Sequence, residues 1–125
     1  KILIIIPAFN EAERIAVVVR NVRETVPDYD ILVIDDGSFD ETSHAAQSAG
    51  AVVVAHPFNL GYGVAIQTGY KYAQTKNYDF VVQMDGDGQH TPADVRRLWE
   101  RFNAEDLDMV VGARSAVFFP YVTWA

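Results

Sequence analysis

The chain has 125 residues, half of them hydrophobic and 22% charged, which suits one folded domain rather than a disordered segment. It contains no cysteine, which excludes disulfides and thiolate metal sites. A net charge of -7 argues against a nucleic-acid partner, because phosphate backbones are bound by clustered Lys and Arg; it suits a polyanionic ligand that arrives with a metal ion.

No apolar run approaches the roughly 20 residues of a bilayer span, and the opening KILIII is closed by Pro7 before it could serve as a signal core. A chain that begins on Lys1 rather than Met is expected to be part of a longer protein. In chain order, continuous Val/Ile/Leu runs predict strands over Ile2–Ile6, Ile31–Asp35, Ala51–Ala55, Phe80–Met84 and Met109–Gly112. Such unbroken runs mark strands buried on both faces. Between them, Ile15, Val18, Val19 and Val22 follow helical spacing, as do Val95, Leu98, Trp99 and Phe102. A short helix is expected after Asp40, which can cap it, and a longer one from about Tyr62 to Lys76. Thr91-Pro92 reads as an N-cap followed by proline at the first helical position.

The order βαβαβαβαβ means an α/β domain: a mostly parallel sheet with helices on both faces. Ligands of such sheets bind at the carboxyl ends of the strands. Four polar clusters fall on that rim: PAFNE, DDGS, DGDGQH and GARS. The final AVFFPYVTWA carries no charge and follows no clear period. Two readings of it stand: a continuous tail packed on the sheet's edge, or a later element joined after residues absent near Ser115.

Asp85 and Asp87 are separated only by Gly86 at the end of a strand. Two carboxylates so close repel one another unless a cation or a donor-rich ligand lies between them. Mg2+ or Mn2+ typically takes one or two carboxylates together with substrate phosphates; Gly86 leaves room for a ligand, and Gln89 can add an oxygen. The plain alternative is a solvated turn. An EF-hand loop counted from Asp85 would need Gly and Glu where His90 and Arg96 stand. In Asp35-Asp36-Gly37-Ser38 a carboxylate at the strand's end can accept the ring N–H of uracil or guanine, while Ser38 or Asp40 can cap the next helix; capping alone is the plain alternative. The glycines of NLGYGVAIQTG shape a loop whose amides could face an anion, at a spacing that does not fit a dinucleotide fingerprint. Arg114 can meet a diphosphate or form a salt bridge on the rim. His44 and His56 suit surface or packing roles.

Together IIIPAFNEAERI, ILVIDDGSFDET, NLGYGVAIQTGY, FVVQMDGDGQHTPADV and VVGARS resemble the ordered motifs of family 2 glycosyltransferases with a GT-A fold. The polyprenyl-phosphate mannose or glucose synthases are the most similar subgroup. The resemblance implies that Pro7, Phe9, Glu11 and Asp36 line a nucleoside pocket. It implies that Asp85, Asp87 and Gln89 hold Mg2+ or Mn2+ and the donor diphosphate beside Gly86. By the same resemblance Arg114 contacts the donor, and Asp87 and Arg114 are the catalytic pair. The implied reaction is inverting, metal-dependent transfer of a sugar from a GDP- or UDP-linked donor to a lipid-phosphate or sugar acceptor, with a polyprenyl phosphate favoured. A lipid phosphate is already anionic and needs no catalytic base, and nothing after Ser115 supplies one. The implied location is cytoplasmic, at the inner face of a membrane, with peripheral contact. Residues 1–115 would form the nucleotide-sugar-binding domain and 116–125 the apolar tail. A nucleotide-sugar-binding module without turnover is the alternative, since both need the same donor site.

Overall fold

The computed structural model describes residues 1–86, 92–105, 109–111 and 121–124. The chain runs β1 (Ile2–Ala8), α1 (Ile15–Thr25), β2 (Asp30–Asp35), α2 (Thr42–Ala49), β3 (Val52–Ala55), α3 (Tyr62–Thr75), β4 (Phe80–Gln83), α4 (Pro92–Ala104), β5 (Met109–Val111) and β6 (Tyr121–Trp124). The six strands form one sheet in the order β3-β2-β1-β4-β6-β5.

β1 lies at the centre, parallel to β2 on one side and β4 on the other, and Leu3 through Ile6 are buried. Its alternate side chains serve two cores. Ile4 and Ile6 join Val33 and Val82 beneath Ile15, Val18, Val19 and Val22 of α1 and Val95, Leu98 and Phe102 of α4. Leu3 and Ile5 join Leu32, Ile34 and Val81 beneath Ala65, Ile66 and Ala73 of α3. The helical spacing read from the sequence is therefore the buried stripe of each helix, and helices cover both faces. On the α3 side the approach is close. A Cβ built on Gly69 would stand 2.7 Å from Ile5 side-chain atoms, so the helix sits nearer the sheet than any larger residue would allow.

The far edge departs from the parallel pattern. β6 pairs antiparallel with β4 and with β5, with Val82 opposite Val122 and Val122 opposite Val110. The β4–α4–β5 crossover leaves β5 parallel to β4 but one strand-width away, and the chain returns to fill that gap. Part of the uncharged tail thus supplies a strand, built from residue types that favour extended backbone. The step near Ser115, on which the absent-residue reading turns, lies outside the described residues, as does Thr91.

Candidate donor-binding cleft

The carboxyl ends of β1, β2 and β4 open onto a cleft of about 290 Å3, lined at its rim by Pro7, Phe9, Glu11, Asp36, Asp85 and Gly86. All six were expected at the site from the sequence, and the sheet brings them together. Asp87, Gln89 and Arg114, expected with them, lie outside the described residues, as does His90. The β3–α3 connection adds Asn59, Gly61 and Tyr62.

Two loops build the side of the cleft that carries Phe9, Glu11 and Asp36. The turn after β1 is strapped to the turn after β2: Asn10 N donates to Ser38 Oγ at 2.9 Å, and Phe39 N donates to Asn10 Oδ1 at 2.9 Å. Glu11 N donates to Thr42 Oγ1 at 3.0 Å, and Ala12 N to Asp40 Oδ2 at 3.2 Å. Asp40 also accepts from Thr42 N, the first residue of α2, at 3.1 Å; the capping position itself is Glu41, one residue later than expected, and its side chain makes no cap bond. Asp35 turns inward, accepting from Ser38 N at 3.0 Å and from the Ser43 hydroxyl, and so fixes the turn rather than the cleft. Phe9 meets Phe39 edge to face at 6.4 Å between centroids. The Glu11 carboxylate pairs with Arg14 Nε at 3.2 Å.

Gly37 shows why these loops meet. At φ +76° it occupies the left-handed region, and a Cβ there would lie 2.3 Å from the Phe58 carbonyl carbon and 2.4 Å from Asn59 N. Only glycine lets the β3–α3 connection close onto the turn.

Asp36 is the polar centre of that junction. Its Oδ1 accepts from Leu60 N at 2.9 Å and meets His56 Nδ1 at 2.8 Å; its Oδ2 accepts from Gly61 N at 3.0 Å. Burial would raise its carboxyl, but the hydrogen bonds from His56 and the two amides outweigh that and hold it below the usual carboxylate range. The loop amides expected to face an anionic ligand therefore meet an anion of the chain itself, placed at the amino end of α3 where the helix dipole favours it. His56 completes a buried chain through Nε2 to Thr68 Oγ1 at 2.8 Å. The sequence suggests only a surface or packing role for His56 and gives no sign of Thr68. Their partners lie 20 and 12 positions from His56, and no local spacing announces such contacts.

Gly86 lines the cleft and also lies close against the core. A Cβ there would meet Ile15, Ala8 and Ile6 at 3.3–3.4 Å, so its lack of a side chain relieves packing against the core. Among the described residues no group of three or more His, Cys, Asp or Glu could hold a metal ion. Asp85 is the described member of the expected set. The lining Glu11, Asp36 and Asp85 are oxygen donors of the kind that a hard divalent cation takes, and no Lys or Arg stands among the described lining residues.

A mostly parallel sheet covered on both faces, with an acidic cleft at its carboxyl rim, defines an α/β protein whose candidate ligand site is that rim. The model of the glycosyl transferase family 2 matches residues 3–125, and the chain belongs to that family. It is 34% identical over 129 residues to the undecaprenyl-phosphate mannosyltransferase of Micrococcus luteus, covering 99% of this chain and 52% of that one. It is 33% identical to the polyprenol monophosphomannose synthase of Mycolicibacterium smegmatis, covering 90% and 44%. The chain spans about half the length of the curated relatives it matches. Among solved structures, the glucosyl-3-phosphoglycerate synthase of Mycobacterium tuberculosis with Mn2+, UDP and glucosyl-3-phosphoglycerate superposes with a TM-score of 0.81. That match covers 99% of this chain and 56% of the other at 22% identity, a likeness of fold alone. The same synthase with Mn2+, UDP-glucose and phosphoglyceric acid matches at 27% identity, with a TM-score of 0.71 over 87% of this chain and 42% of that one. The fold is of the GT-A type expected from the sequence. No helix among the described residues is long and apolar enough to cross a membrane.

Proposed function

We propose that the cleft binds the nucleotide end of a UDP- or GDP-sugar and that the protein transfers the sugar, with inversion, to a polyprenyl phosphate. The observation that carries the reading is the convergence of Pro7, Phe9, Glu11, Asp36 and Asp85 on one rim, in a chain of this family. Two relatives named for undecaprenyl-phosphate and polyprenol-phosphate mannose transfer support the acceptor. Asp36 presents an ionised acceptor to the N–H edge of a base, and Phe9 offers an apolar wall beside it. Asp85, with Asp87 and Gln89, would hold Mg2+ or Mn2+, and Arg114 would contact the donor diphosphate. The bound cation supplies Lewis-acid neutralisation of the charge that develops on the leaving diphosphate. The acceptor phosphate attacks the anomeric carbon as an anion, so this chain's residues need not remove a proton from it. The work takes place at the cytoplasmic face of a membrane, reached by peripheral contact.

The test is a thermal-shift screen of UDP- and GDP-sugars with and without Mn2+, followed by transfer of labelled sugar to a polyprenyl phosphate. A ligand that binds the native state raises its melting temperature. Binding with transfer supports the reading, binding with neither transfer nor donor hydrolysis makes the domain a non-catalytic nucleotide-sugar module, and no binding rejects both.

A further inference from the structure

We propose that His56 is a positioning residue for the donor site: it clamps the Asp36 carboxylate, which in turn holds Leu60 and Gly61 and so sets the wall formed by Asn59, Gly61 and Tyr62. The proposal rests on the reading of the cleft as a nucleotide site. His56 follows β3, and its backbone N donates to Asp35 O at 2.8 Å, so the ring is anchored to the same turn it serves. The side chains of His56 and Asp36 are 9% and 7% exposed.

The proton positions follow from the partners. An ionised carboxylate only accepts, so Nδ1 facing Asp36 carries hydrogen. Nε2 faces the Thr68 hydroxyl, which can donate or accept and also lies 3.0 Å from Val64 O. A neutral ring takes a hydrogen bond from Thr68; a charged ring gives one, while Thr68 donates to Val64 O. Either way Nδ1–H donates to Asp36, so the ring holds the carboxylate in both forms.

Without the ring, Oδ1 keeps only the Leu60 amide among its described partners, in a place too buried for easy rehydration. The carboxylate is then held by the Leu60 and Gly61 amides alone, and those amides face an acceptor that has lost its side-chain anchor. Because Gly61 and Tyr62 line the cleft, the effect reaches the ligand.

Three proteins decide the matter: wild type, His56→Leu, which fills volume without a donor, and His56→Asn, which places an amide N–H near the position of Nδ1. Two quantities are read: amide exchange of Leu60 and Gly61 in the ligand-free protein, and calorimetric affinity for UDP and GDP with Mn2+. His56→Leu should speed both exchanges and weaken nucleotide binding by about tenfold, the scale of a hydrogen bond to a charged group. His56→Asn should stay within about threefold of wild type on both. A packing role would predict the reverse order, with Leu better tolerated than Asn, and that order overturns the proposal, as does unchanged behaviour of His56→Leu. Should His56→Leu not fold, His56→Gln replaces it, since its donor reaches toward Thr68 instead of Asp36, and the same outcomes apply. If wild type binds neither nucleotide, the nucleotide reading fails, while the exchange rates still uphold or overturn the clamp.

Discussion

Asp36 holds its proton less tightly in the folded chain than a free carboxyl does: burial works against this, but the His56, Leu60 and Gly61 hydrogen bonds prevail. A folded value below the unfolded value of about 3.9 gives stability that is present above that pH and lost as pH falls through the lower folded value. Asp36→Asn should therefore be less stable than wild type at neutral pH, and the gap should narrow below about pH 4. Urea midpoints measured from pH 6 down to pH 2 check this; curves that stay parallel throughout would remove Asp36 from the acid response. Asp85 makes the complementary case, a carboxylate on the rim whose loss takes away charge but no core volume. Asp85→Asn should keep the wild-type melting temperature within about 2 °C, as rim substitutions usually do. It should cut the Mn2+-dependent gain in UDP affinity at least about tenfold, as expected for a lost charged ligand. An Mn2+ gain equal to that of wild type would take Asp85 out of the cation's shell. Glu11 was named by the family motif alone, whereas Asp36 and Asp85 were legible because each lies within two residues of the end of an apolar run. His56 and Thr68 were not, because their contacts are made by the packing of α3 against the β2 turn.

Gly69 sets the distance between α3 and the sheet, and two effects of an added methyl oppose each other there. Alanine favours a helix over glycine by about 1 kcal/mol. The same methyl would stand 2.7 Å from Ile5 Cδ1 and Cγ2. Overpacking of a filled core costs about 1–3 kcal/mol, so the steric effect should prevail. Gly69→Ala is expected to lower stability by about 1 kcal/mol, read as a fall of roughly 3–5 °C in melting temperature. Ile5→Val removes the Cδ1 contact, so the double variant should lose less than the sum of the two single losses. Strict additivity would place the strain elsewhere. The same scale shows where the sequence stopped being readable. β1, β2, β4, α1 and α4 follow from runs and periods, because each buries a continuous surface of its own. β3, expected to be buried on both faces, is instead the edge strand, with no buried residue and Val52 51% exposed. β6 has only four residues, and its place between β4 and β5 depends on pairing with strands some 10 and 40 positions earlier in the chain. Pairing at such separation leaves no local signal.

At the scale of the whole molecule, the net charge of -7 and the cleft's Glu11, Asp36 and Asp85 face a proposed ligand that is itself polyanionic. Like charges repel over a range set by salt: the screening length is about 30 Å at 0.01 M and about 10 Å at 0.1 M. Affinity for UDP alone should therefore rise as salt is increased from low concentration, the opposite of the trend for a basic anion-binding protein. With Mn2+ saturating, the ligand enters as a nearly neutralised complex, so the salt dependence should flatten or change sign. Calorimetric titrations of UDP at 0.01, 0.05 and 0.15 M salt, with and without Mn2+, separate these cases. Binding of UDP alone that weakens steadily with salt would mean that a cationic group outside the described lining dominates the cleft. The acidic balance would then belong to the surface at large and not to the site.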